Sequence, residues 1–181
     1  MHKNLLTIFT LGLFLSFNSF AQNTTIGSVD MGEISNSEAF NQVKKLIGKW
    51  EGKLYQQSGA VVDTYSEFRL VSNGNSIVEK LVEDGVEMLT TYSDNKDGEL
   101  VVKHYCALGT QPVFKASKVS SDMVAVSLDE SQGGYHPEHH SYVSSMKWMV
   151  DADNKDLAVV GSTLYIDGEL VEQQSVISRV N

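Results

Sequence analysis

The sequence predicts an all-β domain, an antiparallel up-and-down barrel of roughly ten strands preceded by one short N-terminal helix. From Trp50 onward, apolar residues recur at every second position, the period of a strand with one buried face. Between these runs stand hairpin signals such as Asn73-Gly74, Asp84-Gly85 and Asp167-Gly168, which tolerate the positive φ that tight turns require. No helical segment separates the runs, so parallel crossovers have no path, and a meander this long removes its two edges by closing. Turn spacing alone leaves a two-sheet sandwich as the alternative.

The elements follow in chain order. Met1 to Ala21 has a basic start at His2 and Lys3, an apolar run from Leu5 to Leu15, and the small residues Ser19 and Ala21 around Phe20. This is the pattern of a cleaved secretory signal of bacterial type, so the protein is expected in the periplasm or secreted. The run is too short for a membrane span, and no membrane insertion is expected after cleavage. Residues 22–34 are polar, with no apolar period, and read as a flexible lead-in to a single domain over residues 35–181. Ser35 stands three residues before Glu38, the spacing of a capping box, and Phe40, Val43 and Ile47 then share one helical face. A helix from about Ser37 to Ile47, ended by Gly48, is expected. Strands are expected at Trp50–Gln57, Val61–Ser72, Ile77–Glu83, Glu87–Ser93, Glu99–Ala107, Val113–Lys118, Met123–Leu128, Ser141–Val150, Leu157–Ile166 and Leu170–Val180. Asp129 to His140 remains as a long loop over one end.

Composition narrows the function classes. The chain has 181 residues, 41% hydrophobic, which is enough apolar material for one core. Its formal charge is −9, and one unit more negative without the first 21 residues, which hold Lys3 and no acid. Nucleic-acid binding needs clustered Lys and Arg, and no basic stripe is present, so no nucleic-acid partner is expected. The single cysteine, Cys106, cannot form an intrachain disulfide, so stability rests on packing.

Strand alternation places the chemistry. On the Glu99 strand, Leu100, Val102, His104 and Cys106 share the face opposite Lys103, and that face should be inward. By the same test Ile77, Glu79 and Leu81 face inward opposite Lys80, and Met88, Thr90 and Tyr92 opposite Glu87. Glu79, Thr90, Tyr92, His104 and Cys106 are therefore candidate ligand-binding residues facing one lumen, with Gln111 just past the rim. Of the loop group His136, Glu138, His139 and His140, adjacent residues face opposite sides, so at most one of the last two enters the lumen.

Gly48-Lys49-Trp50, after a short helix and opening the first strand, resembles the Gly-x-Trp signature of lipocalin and wider calycin barrels, including the ten-stranded nitrobindin-like group. The resemblance implies a calycin-like barrel closed at one end by Trp50, with Arg179 lying over its ring. The segment His104-Tyr105-Cys106-Ala107-Leu108-Gly109-Thr110-Gln111-Pro112, with His140 before a strand and Asp151-Ala152-Asp153 after it, is similar to an uncharacterised family of secreted bacterial proteins. Members of that family often have Asn where this chain has Thr110. The likeness selects His140 as the loop residue that enters the lumen.

The expected function is binding of a small, partly polar molecule in the lumen, with no catalytic role assigned. Three alternatives stand beside it. Glu79 and His104 form an acid–base pair of a hydrolase or isomerase. A metal ion or haem is held through His104, Cys106 and His140, with Glu79 as a further metal ligand and haem implied by the inward His of nitrobindin-like barrels. Or the polar groups satisfy one another in a filled barrel, a structural module. A thiol nucleophile is disfavoured, because residues i and i+2 on a strand stand about 6.6 Å apart and a Cys–His pair needs about 3 Å.

Overall fold

A computed structural model describes residues 25–30 and 32–180. The chain divides into two units, Met1–Glu33 and Ile34–Asn181. The expected signal segment lies outside the described residues, and so does Met31. In the first unit the described part holds one 3-10 turn, Ile26–Ser28, with every residue exposed. Among the described residues no helix is long and apolar enough to cross a membrane.

The second unit is a closed barrel of ten antiparallel strands with one helix. The helix α1 spans Glu38–Lys44; the strands are β1 Gly48–Gln56, β2 Val61–Val71, β3 Ser76–Glu83, β4 Val86–Asp94 and β5 Leu100–Tyr105. They continue as β6 Val113–Val119, β7 Met123–Leu128, β8 Tyr142–Val150, β9 Leu157–Ile166 and β10 Glu169–Val180. Every strand pairs with its sequence neighbours, and β1 pairs with β10 to close the ring, from Lys49 opposite Val180 to Gln56 opposite Gln173. The sandwich alternative is thereby excluded. The hairpin signals act as expected: Asp84 and Gly85 take φ of 49° and 77°, and Asp167 and Gly168 of 50° and 87°.

The helix is shorter than its periodicity suggests, and its cap differs. Ser37, not Ser35, is the N-cap: its Oγ accepts from Phe40 N at 3.0 Å and donates to Asp94 Oδ1 at 2.7 Å, while its own N–H donates to Asp94 Oδ2 at 2.6 Å. Asp94, at the end of β4, fixes which serine caps, a long-range contact that a local capping rule does not contain. At the other end, Leu46 N and Ile47 N donate to Val43 O and Lys44 O, so the chain tightens into i→i+3 turns before β1.

The helix buries Ala39, Phe40 and Val43, and Leu46 follows them inward, so α1 plugs the end where β1 begins and β10 finishes. Burying Phe40, Val43 and Leu46 stabilises by about 6 kcal/mol in total. Trp50 lies beneath, fully buried, its indole N–H donating to Leu46 O at 2.6 Å. The Arg179 guanidinium stands 4.3 Å from the Trp50 ring and donates to Ile47 O at 2.6 Å and Lys45 O at 3.0 Å, tying the last strand to the helix end. Phe68, Phe114, Trp148 and Ile77 fill the barrel above it.

Candidate functional site

Above this packed half the lumen turns polar. Glu79 on β3, Thr90 on β4 and His104 on β5 occupy one rung, each directly opposite the next. All three are buried, at 2%, 0% and 2% exposure. The Glu79 carboxylate accepts from Ser66 Oγ at 2.8 Å and from the Tyr92 hydroxyl at 2.5 Å. Burial pushes Glu79 above the usual carboxylate range, against the pull of these hydroxyl donors. Burial first, then the neighbouring Glu79 charge, holds the Tyr92 phenol well above its ordinary value. Thr90 Oγ1 lies 2.9 Å from His104 Nδ1. Burial lowers His104 to about 4, so its ring is neutral at pH 7.

These groups floor a cavity of about 50 Å³. Glu79, His104 and Cys106 line it directly, whereas Thr90 and Tyr92 stand behind them as hydrogen-bond partners. The remaining polar lining is Thr64, Ser66, Glu83, Ser162, Gln173 and Ser175, and the apolar lining includes Leu81, Met88, Val143, Met146 and Leu164. A bulge between Val143 and Ser145 rephases β8, so Val143 and Met146, three residues apart, both face the lumen. Glu83 continues the alternation of β3, two residues beyond Leu81. Burial and then the charge of Glu79 raise it to about 7. It makes no hydrogen bond or ion pair among the described residues, and neither Lys nor Arg lines the cavity.

Two of the sequence candidates lie elsewhere. Gln111 and His140 are exposed, and neither lines the cavity. The loop over residues 129–141 turns against the outer wall instead of over the mouth. Tyr135 stacks on Tyr142 at 5.3 Å, Tyr142 packs against Tyr165 at 5.4 Å, and both partners point away from the lumen-facing Val143 and Leu164. Gln111 N donates to the Tyr135 hydroxyl at 2.7 Å, and His140 Nδ1 accepts from His136 N at 3.2 Å. His140 therefore caps its own loop, with its ring edge-on to Tyr135 at 5.6 Å. Thr64, Ser66, Glu83, Ser162, Gln173 and Ser175 line the cavity without standing among the sequence candidates. For Ser66 and Glu83 the signal is strand alternation, Ser66 with Thr64 and Phe68, and Glu83 with Glu79 and Leu81.

The geometry bears on the alternatives. No three His, Cys, Asp or Glu side chains among the described residues converge as metal ligands, because His140 stands outside the barrel. A haem does not fit, since ligand pockets of even ordinary size run to about 300–1,000 Å³ and this one holds about 50 Å³. Cys106 lies just past β5, and burial raises its thiol, so it is protonated and without a paired base. As a base, His104 near 4 is weak at neutral pH. A wider groove of about 600 Å³ crosses the outer wall near Tyr55, Lys147, Gly161 and Gln174. It is open to solvent and holds none of the buried polar groups.

No family model matches the chain, and no curated protein matches it. Among solved structures it is similar to a protein of unknown function from the DUF3598 family of Nostoc punctiforme, with 15% identity and a TM-score of 0.53, covering 76% of this chain and 49% of that one. The chain thus spans about half the length of that protein, and the likeness is one of fold alone. A redesigned β-barrel matches with 13% identity and a TM-score of 0.40 over 82% of this chain and all of that one. The bovine odorant-binding protein, solved with a selenium-containing odorant, matches with 12% identity and a TM-score of 0.30 over 84% of this chain and 78% of that one.

Proposed function

We propose that this protein is an exported binder of a small, partly polar molecule in the upper lumen of a calycin-like barrel, with Glu79, Glu83 and His104 as the polar contacts. Export rests on the pattern of Met1 to Ala21, and the nitrobindin-like kinship on Gly48-Lys49-Trp50. The observation that carries the binding role is the unfilled cavity itself: a barrel packed solid below Glu79 leaves about 50 Å³ above it, bordered by the unpartnered carboxylate of Glu83. A filled structural module has no reason to keep that carboxylate there.

The volume sets the scale of the ligand. One water needs about 10–15 Å³ by this measure, so the enclosed part of a ligand has about four non-hydrogen atoms. At a ceiling of about −1.5 kcal/mol per atom, the affinity is at best roughly −6 kcal/mol, a Kd of about 40 µM. Thermal unfolding in a panel of polar fragments of this size tests the reading. At 10 mM, roughly 250 times that Kd, a fitting fragment stabilises by about 3 kcal/mol and raises Tm by roughly 6–12 °C. Ser175→Leu, which fills the cavity, abolishes the rise. If no fragment shifts the natural protein more than the filled variant, the lumen is not a binding site.

A further inference from the structure

The lumen is one-sided in its charge. Two carboxylates border it, Glu79 and Glu83, and neither Lys nor Arg does. Thr90 Oγ1 lies 2.9 Å from His104 Nδ1 and engages that ring nitrogen. The Nε2 of this buried, cavity-lining imidazole has no partner among the described residues. Glu83 adds a carboxylate with no donor of its own, beside apolar walls from Leu81, Met88 and Met146.

A space bordered by two acids and no basic side chain, with a short apolar wall, is complementary to a cation on a short hydrocarbon chain. The formal charge of −9 favours the approach of the same sign of ligand. Resting on the binding reading above, we infer that the lumen takes a small primary amine in its ammonium form. The Glu79 and Glu83 charges compensate the ammonium, His104 Nε2 accepts one of its hydrogens, and the carbon chain lies against Met88 and Met146. Anionic ligands such as short-chain acids are excluded by the same two carboxylates.

Three three-carbon probes, n-propylammonium, 1-propanol and propionate, test the inference on the full chain at pH 8 by NMR titration of the methionine methyl groups. We expect propylammonium to bind at least tenfold tighter than 1-propanol, with shifts at Met88 and Met146, and propionate to leave both unmoved. Glu83→Gln weakens propylammonium about tenfold more than it weakens 1-propanol; continued binding of the alcohol shows that the variant keeps its pocket. Equal or tighter binding of 1-propanol or propionate at these methyls overturns the ammonium assignment and leaves the lumen as a binding site. Propylammonium shifts confined to other methionines overturn the assignment to this cavity. Silence from all three probes up to about 100 mM, or roughly 2,500-fold above the best Kd expected for the volume, overturns the lumen reading with it.

Discussion

Gly52 on β1 is the position where a single methyl group strains the closure of the barrel. It lies opposite Ile177 on β10, and a Cβ there would stand 1.9 Å from Val176 O and 2.9 Å from Ile177 Cα. These are backbone atoms, so no rotamer change relieves the contact, and the two strands must part by about an ångström or more. Overpacking of this kind costs about 1–3 kcal/mol, and loss of the two nearest ladder hydrogen bonds adds about 1 kcal/mol each. Gly52→Ala is thus expected to cost about 3–5 kcal/mol, lowering Tm by roughly 6–20 °C. Gly161→Ala is the internal control. Its Cβ would meet only Lys147 Cε at 3.5 Å, an ordinary contact with the far end of a flexible side chain. It should be neutral or stabilise by about 0.5 kcal/mol through the lost freedom of glycine. Urea unfolding followed by circular dichroism measures both. A Gly52→Ala protein within 0.5 kcal/mol of the parent would refute the claim that β1 and β10 close over this residue.

Ser37→Ala removes the N-cap of α1 and one of the two donors to Asp94, at an expected cost of about 1–2 kcal/mol in the same unfolding assay, whereas Ser35→Ala costs nothing measurable. Tyr92→Phe deletes a donor to a buried carboxylate and should cost about 1–3 kcal/mol, with much of that recovered when Glu79→Gln is added, because the charge is then gone. Glu83, raised to about 7 in the fold, is protonated more readily there than in the unfolded chain, so its contribution is full below about pH 4.5 and is lost as pH rises to 7. His104, lowered to about 4, contributes in the opposite direction, its share being lost as pH falls from 6.5 through 4. The stability of the parent minus that of Glu83→Gln should therefore fall between pH 5 and 7, and a flat difference contradicts the buried-acid assignment. An ammonium ligand favours ionised Glu83, so its affinity should rise about tenfold from pH 6 to pH 8, as titrations at the two pH values will show.

The barrel was legible where local pattern and tertiary structure agree. Leu100, Val102 and His104 turned inward opposite Lys103 because a strand has two faces and a lysine takes the wet one. Asp84-Gly85 and Asp167-Gly168 made their turns because few other pairs accept two positive φ values. What escaped the sequence depends on contacts between distant segments. Asp94 selects Ser37 as cap, and the stack of Tyr135, Tyr142 and Tyr165 draws the long loop, and His140 with it, to the outside. Neither follows from spacing. The size of the cavity is likewise a sum over side chains from many strands, so alternation could name Glu79 and His104 as inward without telling how much room remains between them.

The pairing of β1 with β10 also sets an order of events. Each of the other ladders joins strands adjacent in the chain, but Gln56 meets Gln173 only after every intervening hairpin is in place. Closure is then the late, slow step of folding, because the loop it shuts is nearly the whole domain. Until it happens, the nascent sheet carries two bare edges, and pairing between two such chains competes with pairing within one. The yield of monomer on refolding should therefore depend on protein concentration through this one seam.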